Sequence, residues 1–201
     1  MVAYLATTCV PSTTVPHRVP VPGQASVDVD VYIAPDFTEN ERKNIITGIL
    51  MWESATNGMI KWHMLNFTST PPVIVQDHNT FPQKRTVVFM RTTTKTDWVM
   101  SFDKKNKPKS LLGMLVGNPL QLSYAYLVED RFRTDNDEII IAAHEFGHAL
   151  GISHVEDFKS VMSELYLPNI ECLTLSDLQA FCDLYGCRSS DVHSVCTQTQ
   201  K

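Results

Sequence analysis

The run His144-Glu145-Phe146-Gly147-His148-Ala149-Leu150-Gly151-Ile152-Ser153-His154, which reads H-E-x-x-H-x-x-G-x-x-H, narrows what this chain can fold into more than any other feature. Residues four apart on a helix share a face, so a helix through this run presents His144 and His148 side by side. Glu145, next to the first imidazole, is placed to reach a metal-bound water. Gly151 must then end the helix. A residue free to take positive φ turns the chain sharply, and His154 returns as a third nitrogen from a position the helix could not supply. Three protein nitrogens around a cation leave one coordination position open, the pattern of a catalytic rather than a structural zinc site. Glu145 is the candidate general base for such a site.

Length and composition frame this site. With 201 residues, 43% of them hydrophobic, the chain suffices for one well-buried domain and is short for two. A net charge of -5 without a run of lysines or arginines argues against nucleic acid or an anionic membrane as the main partner. Lys104, Lys105, Lys107 and Lys109 form the one basic cluster, and with Asn106 and Pro108 among them they read as a solvated loop. No apolar stretch approaches the length of a membrane span. A monomer acting on a protein or peptide is the expectation.

Along the chain, residues 1–24 carry Pro11, Pro16, Pro20 and Pro22 and read as an extended Thr/Val/Pro-rich arm, followed by one domain over 25–201. From Val27 to Ile33 the clean alternation predicts a strand with one wet face. Thr38-Glu39-Asn40-Glu41 resembles a capping box, and Ile45, Ile46, Ile49, Trp52 and Ala55 recur behind it at helical spacing until Asn57-Gly58. Apolar segments at Met59 to Leu65, Val73 to Val75, Thr86 to Arg91, Leu111 to Val116 and Tyr124 to Val128 supply a sheet. Thr134-Asp135-Asn136-Asp137 starts the helix of the histidine run, with Ile139, Ile140, Ala143 and Ala149 on its buried side. The order predicts a mixed α/β fold.

The histidine run is matched at every defined position by the long zinc motif of the metzincin metallopeptidases, and the chain resembles their matrixin (matrix metalloproteinase-like) branch. Met162, eight residues after His154, stands where that branch has its Met-turn methionine, and Tyr166, four further on, stands where a tyrosine walls the specificity pocket. Trp52 resembles the tryptophan of the family's first long helix, and Leu173 to Gly186 its closing helix. The resemblance implies a twisted mixed sheet over an active-site helix, and zinc-dependent hydrolysis of peptide bonds with His144, His148 and His154 as ligands. A zinc amidase acting on a non-protein amide and a non-catalytic zinc-stabilised binding module use the same motif.

The departures from the pattern are informative. Glu164 replaces the proline that usually follows the Met-turn methionine by two residues, which alters the charge of the specificity pocket. Gly113 to Asn118 lacks the histidine of the matrixin structural zinc strand, and no acidic glycine-rich calcium loop is recognisable, so one catalytic zinc and no structural zinc or calcium is the expectation. His63 and His78 stand alone and read as surface or core histidines.

Cys172, Cys182, Cys187 and Cys196 crowd the last thirty residues, an even number that suggests two disulfides and an oxidising compartment. Three pairings are open. The rival reading, a four-thiolate zinc site, lacks the tight C-x2-C pairs of zinc knuckles. A secreted, extracellular setting follows from the cysteines, although Met1 to Ala6 lacks the basic start and length of a signal peptide. Cys9 is the odd cysteine. The matrixin latency motif is absent around it, but a thiolate there is able to occupy an open zinc position.

Overall fold

In a computed structural model the described residues are 26–65, 85–105, 111–118, 121–188 and 191–193. The expected arm 1–24, Cys9, Val73 to Val75, His78, Lys107, Lys109 and Cys196 lie outside them. The alternating segment forms strand β1 (Val27–Ile33), which buries Val27, Val29 and Val31 and leaves Asp28 exposed. Helix α1 (Glu39–Ala55) starts at the expected capping box: Thr38 Oγ1 accepts the Glu41 N–H at 3.3 Å and Glu41 Oε2 accepts the Thr38 N–H at 2.5 Å. The helix crosses from β1 to its parallel neighbour β2 (Ile60–Met64).

Strands β3 (Arg85–Thr92), β4 (Gly113–Gly117) and β5 (Leu122–Val128) complete a five-stranded sheet among the described residues, in the order β2-β1-β3-β5-β4. Every pairing is parallel except β4 with β5. The fold is the mixed α/β arrangement expected.

Between β3 and β4 the basic segment corrects one expectation. Lys104 and Lys105 are not in a loop but close the last turn of helix α2 (Asp97–Lys105). Asp97 in its first turn and the lysines in its last both suit the helix dipole. Its apolar side, Trp98, Val99 and Phe102, packs with Leu111, Met114 and Val128 in a small satellite core. That spacing was hidden by attention to charge alone.

After a short 3₁₀ turn (Glu129–Arg131), helix α3 (Asp135–Ala149) carries the first two histidines, and α4 (Leu175–Tyr185) is the last helix among the described residues. Sequence patterning gave α3 one buried side, yet from Asp137 to Ala149 every residue but Ile139 is buried. The reason is its central position, between α1 and strands β3, β4 and β5. Gly48 lets α1 cross α3 closely: a Cβ there would lie 2.6 Å from the Ile139 carbonyl oxygen and 2.8 Å from the Ala143 nitrogen. One turn on, the buried Trp52 indole N–H donates to the Ala143 carbonyl at 2.8 Å, and its ring meets Phe181 of α4.

Candidate metal centre

The ends of α3 are fixed by groups from distant parts of the chain. At its start Thr134 and Asp137 form a capping box, and Asp137 also accepts the Tyr166 hydroxyl at 2.5 Å. At its end Gly151 takes φ 92°, the left-handed turn expected of it, and the Ile152 N–H returns to the Gly147 carbonyl at 3.0 Å. The last carbonyls are capped by side chains. Arg85 Nη1 donates to Ala149 at 3.3 Å and to Leu150 at 2.5 Å, while the Tyr185 hydroxyl donates to Leu150 at 2.5 Å. A guanidinium here also suits the negative end of the helix dipole.

This turn brings His154 to the other two histidines. His148 Nε2 lies 3.0 Å from His144 Nε2 and 3.3 Å from His154 Nε2. The opposite ring nitrogens of two of them are committed: His144 Nδ1 bonds the Val161 carbonyl at 2.6 Å and His148 Nδ1 the Ile152 carbonyl at 2.7 Å. A carbonyl can only accept, so each Nδ1 carries the proton and each Nε2 presents a lone pair. Burial holds His144 well below the usual imidazole range, and burial together with His154 brings His148 down to about 3. Neutral rings have no second proton to place between the two lone pairs, which repel at 3.0 Å. A cation at their centre removes that conflict, so the donor set fits zinc.

Glu145 is fully buried, and neither of its carboxylate oxygens has a hydrogen-bond partner. Burial pushes its carboxyl well above the ordinary range. Its Oε1 rests against the bare backbone of Gly113 in β4, where a Cβ would come within 2.5 Å of it. Gly113 thus does more than interrupt a histidine pattern; it makes room for the Glu145 carboxyl.

Met162 is buried beneath α3, against Gly147, where a Cβ would collide with its sulfur and lie 2.9 Å from Trp52 Cζ2. Its backbone is held by Asp177, in the first turn of α4. The Asp177 carboxylate accepts the Ser160 hydroxyl, the Val161 N–H at 3.1 Å and the Met162 N–H at 2.9 Å. The same carboxylate accepts the Thr174 N–H at 2.7 Å as part of the α4 capping box. Tyr166 is buried, and burial with the Asp137 carboxylate pushes its phenol up. Glu164 is exposed and lies near enough to His154 to favour its protonated form, against the larger opposing effect of burial.

The structure therefore brings His144, His148 and His154 together, with Glu145 buried beside Gly113 and Met162 buried against Gly147 of α3. His63 is exposed on β2. Cys182 and Cys187 form a disulfide around the end of α4, and Cys172 is disulfide-bonded as well. Sequence reasoning missed Arg85, Asp177, Tyr185 and Gly113. Asp137 and Asp177 did carry a signal, each being the third residue after a helix-capping threonine. Arg85 carried none, because its target is sixty-four residues away.

Fold and site together define a class. The matrixin family model matches residues 36–186, and the chain belongs to that family. The chain is also similar to matrix metalloproteinase-21 of Xenopus laevis, with 46% identity over 48 residues. That stretch is 23% of this chain and 8% of the frog protein, so the chain spans a small part of its relative's length.

Proposed function

We propose that this chain is a zinc-dependent metalloendopeptidase in which His144, His148 and His154 hold one catalytic zinc and Glu145 is the general base. The observation that carries the reading is the convergence of the three Nε2 atoms, two of them fixed as lone pairs by Nδ1 bonds to carbonyls. When bound, zinc supplies Lewis acidity that polarises a substrate carbonyl and makes water nucleophilic near neutral pH. Glu145 takes the proton from the attacking water and delivers it to the leaving amine. Burial strengthens its hold on a proton, which suits a group that must accept one and pass it on.

Among the described residues β4 is the edge strand on the side where Gly113 meets Glu145, which supports an extended peptide adding alongside it as a further strand. Met162 supports the ligand platform from below. Tyr166 walls the pocket beside it, and Glu164 at the exposed rim gives that pocket an acidic edge. The Tyr166 hydroxyl is engaged by Asp137, which favours the wall over a part in oxyanion binding. On this reading residues 25–201 are the catalytic domain, 1–24 an arm and 172–201 its Cys-rich C-terminal part, in which Cys182 and Cys187 are joined. The disulfides favour an oxidising, extracellular setting. No helix among the described residues is long and apolar enough to cross a membrane.

Glu145→Ala tests the assignment. Zinc content should survive while cleavage of an unstructured protein falls by at least about a hundredfold. Equal cleavage by both proteins sinks Glu145 as the base, and a wild type that binds zinc but cleaves no member of a broad peptide library favours the binding-module reading.

A further inference from the structure

Asp177 touches neither the histidines nor Glu145, yet it grips the far side of the peptide unit on which His144 depends. The Val161 carbonyl accepts His144 Nδ1–H at 2.6 Å, and the N–H of the same peptide plane, that of Met162, donates to Asp177 Oδ1 at 2.9 Å. We propose that Asp177 is a positioning residue for the ligand His144, acting through this single peptide unit. The inference rests on His144 being a metal ligand.

A trans peptide is rigid and points its C=O and N–H in opposite directions, so holding the N–H aims the carbonyl. Asp177 also holds the preceding peptide unit, because its Oδ2 takes the Val161 N–H at 3.1 Å, so both planes that meet at Val161 Cα are fixed by one carboxylate. A negative charge on the N–H side further polarises the amide and makes its oxygen a stronger acceptor. That acceptor draws the Nδ1 proton and enriches Nε2 as a donor to the metal. Carboxylates commonly do this by bonding a ligand histidine directly; here a peptide is inserted between them. The surroundings demand an acceptor-only group. The fully buried carboxylate takes five hydrogen bonds, from the Ser160 hydroxyl, the Val161, Met162 and Thr174 N–H groups and the Thr174 hydroxyl. An amide in its place turns an NH₂ toward donors.

The test uses the full chain and compares Asp177→Asn with Thr174→Ala. The second removes the capping hydroxyl of α4 while leaving Asp177 its bonds to Val161 and Met162. Zinc affinity is measured by competition with a chromophoric chelator, alongside thermal unfolding and the visible absorption of the Co²⁺-loaded protein. Asp177→Asn should weaken zinc binding by about tenfold or more in protein that is still folded, and should shift the Co²⁺ bands. Thr174→Ala should lower the melting temperature and leave zinc affinity and the bands unchanged. Wild-type affinity in Asp177→Asn, or equal losses in both variants, reduces Asp177 to a helix cap and overturns the proposal. A wild type that binds no zinc instead overturns the functional reading beneath it.

Should Asp177→Asn not fold, the zinc-loaded wild type decides by proton NMR. His148 is the internal reference, since its Nδ1 bonds the Ile152 carbonyl, a peptide that Asp177 does not contact. The His144 Nδ1–H resonance should lie downfield of that of His148, and the reverse order or coincidence overturns the proposal.

Discussion

Gly48→Ala should destabilise this protein, against the usual sign of such a change. In a helix interior the substitution ordinarily gains up to about 1 kcal/mol from helix propensity. At Gly48 the added Cβ meets the backbone of α3, 2.6 Å from the Ile139 oxygen and 2.8 Å from the Ala143 nitrogen. Neither atom can swing aside as a side chain does, so the two helices must part by roughly 0.5–1 Å, and overpacking of this kind costs about 1–3 kcal/mol or more. Parting them also strains the Trp52 bond to Ala143 one turn away, a contact worth about 1 kcal/mol. The net loss is then about 1–3 kcal/mol, a fall of roughly 2–12 °C in melting temperature for a domain of this size. The assay is thermal unfolding at fixed zinc, with Thr47→Ala as control. Thr47 is the neighbouring residue on the exposed side of α1, where the propensity gain is set only against an exposed hydroxyl bond to the Lys43 carbonyl. If Gly48→Ala melts at or above wild type, the close crossing of α1 and α3 is wrong.

Three other outcomes are expected. Stripping zinc with a chelator should lower the melting temperature by on the order of 10 °C if the ion is held about a thousandfold below its free concentration, and Glu145→Ala should keep that difference. Tyr185→Phe removes one of two donors on the Leu150 carbonyl, so thermal unfolding should register a loss of about 0.5–1 kcal/mol, small because Arg85 remains. Burial raises Glu129 to about 8, with Glu138 adding to the effect, and burial raises Glu138 to about 7, each from 4.5. A carboxyl whose folded pKa is raised stabilises the fold below its unfolded pKa and loses that contribution as pH climbs through the folded one. Melting temperature should therefore fall from about pH 6.5, above which the buried neutral histidines no longer oppose the trend, to 8.5, and Glu129→Gln should flatten the fall; a profile that steepens instead contradicts the assignment.

What could be read from the sequence was whatever is encoded locally. The β1 alternation, the Thr38 capping box, the helix of the histidine run and its break at Gly151 all follow from spacings of a few residues. The metal-binding constellation was legible because its three histidines lie within eleven residues. The groups that hold it were not. Arg85 reaches Leu150 across sixty-five residues, and Asp177 reaches Met162 across fifteen, by contacts that no periodicity announces. Helix α2 was missed because a lysine cluster was read for charge, when Trp98, Val99 and Phe102 upstream already marked an apolar side. The burial of α3 on nearly every side is likewise a property of the packed layers and not of its own pattern.

The segment from Ser160 to Tyr166 hangs between the first turns of two helices, with Asp177 of α4 holding one end and Asp137 of α3 the other. In hydrogen exchange such a strap should behave unlike a surface loop. The Val161 and Met162 amides belong to no helix or strand, yet their protons are handed to a buried carboxylate, so they should exchange as slowly as amides inside α3 and α4. The floor of the site would then open only when one of those helices unravels at its start, which makes it part of the cooperative core.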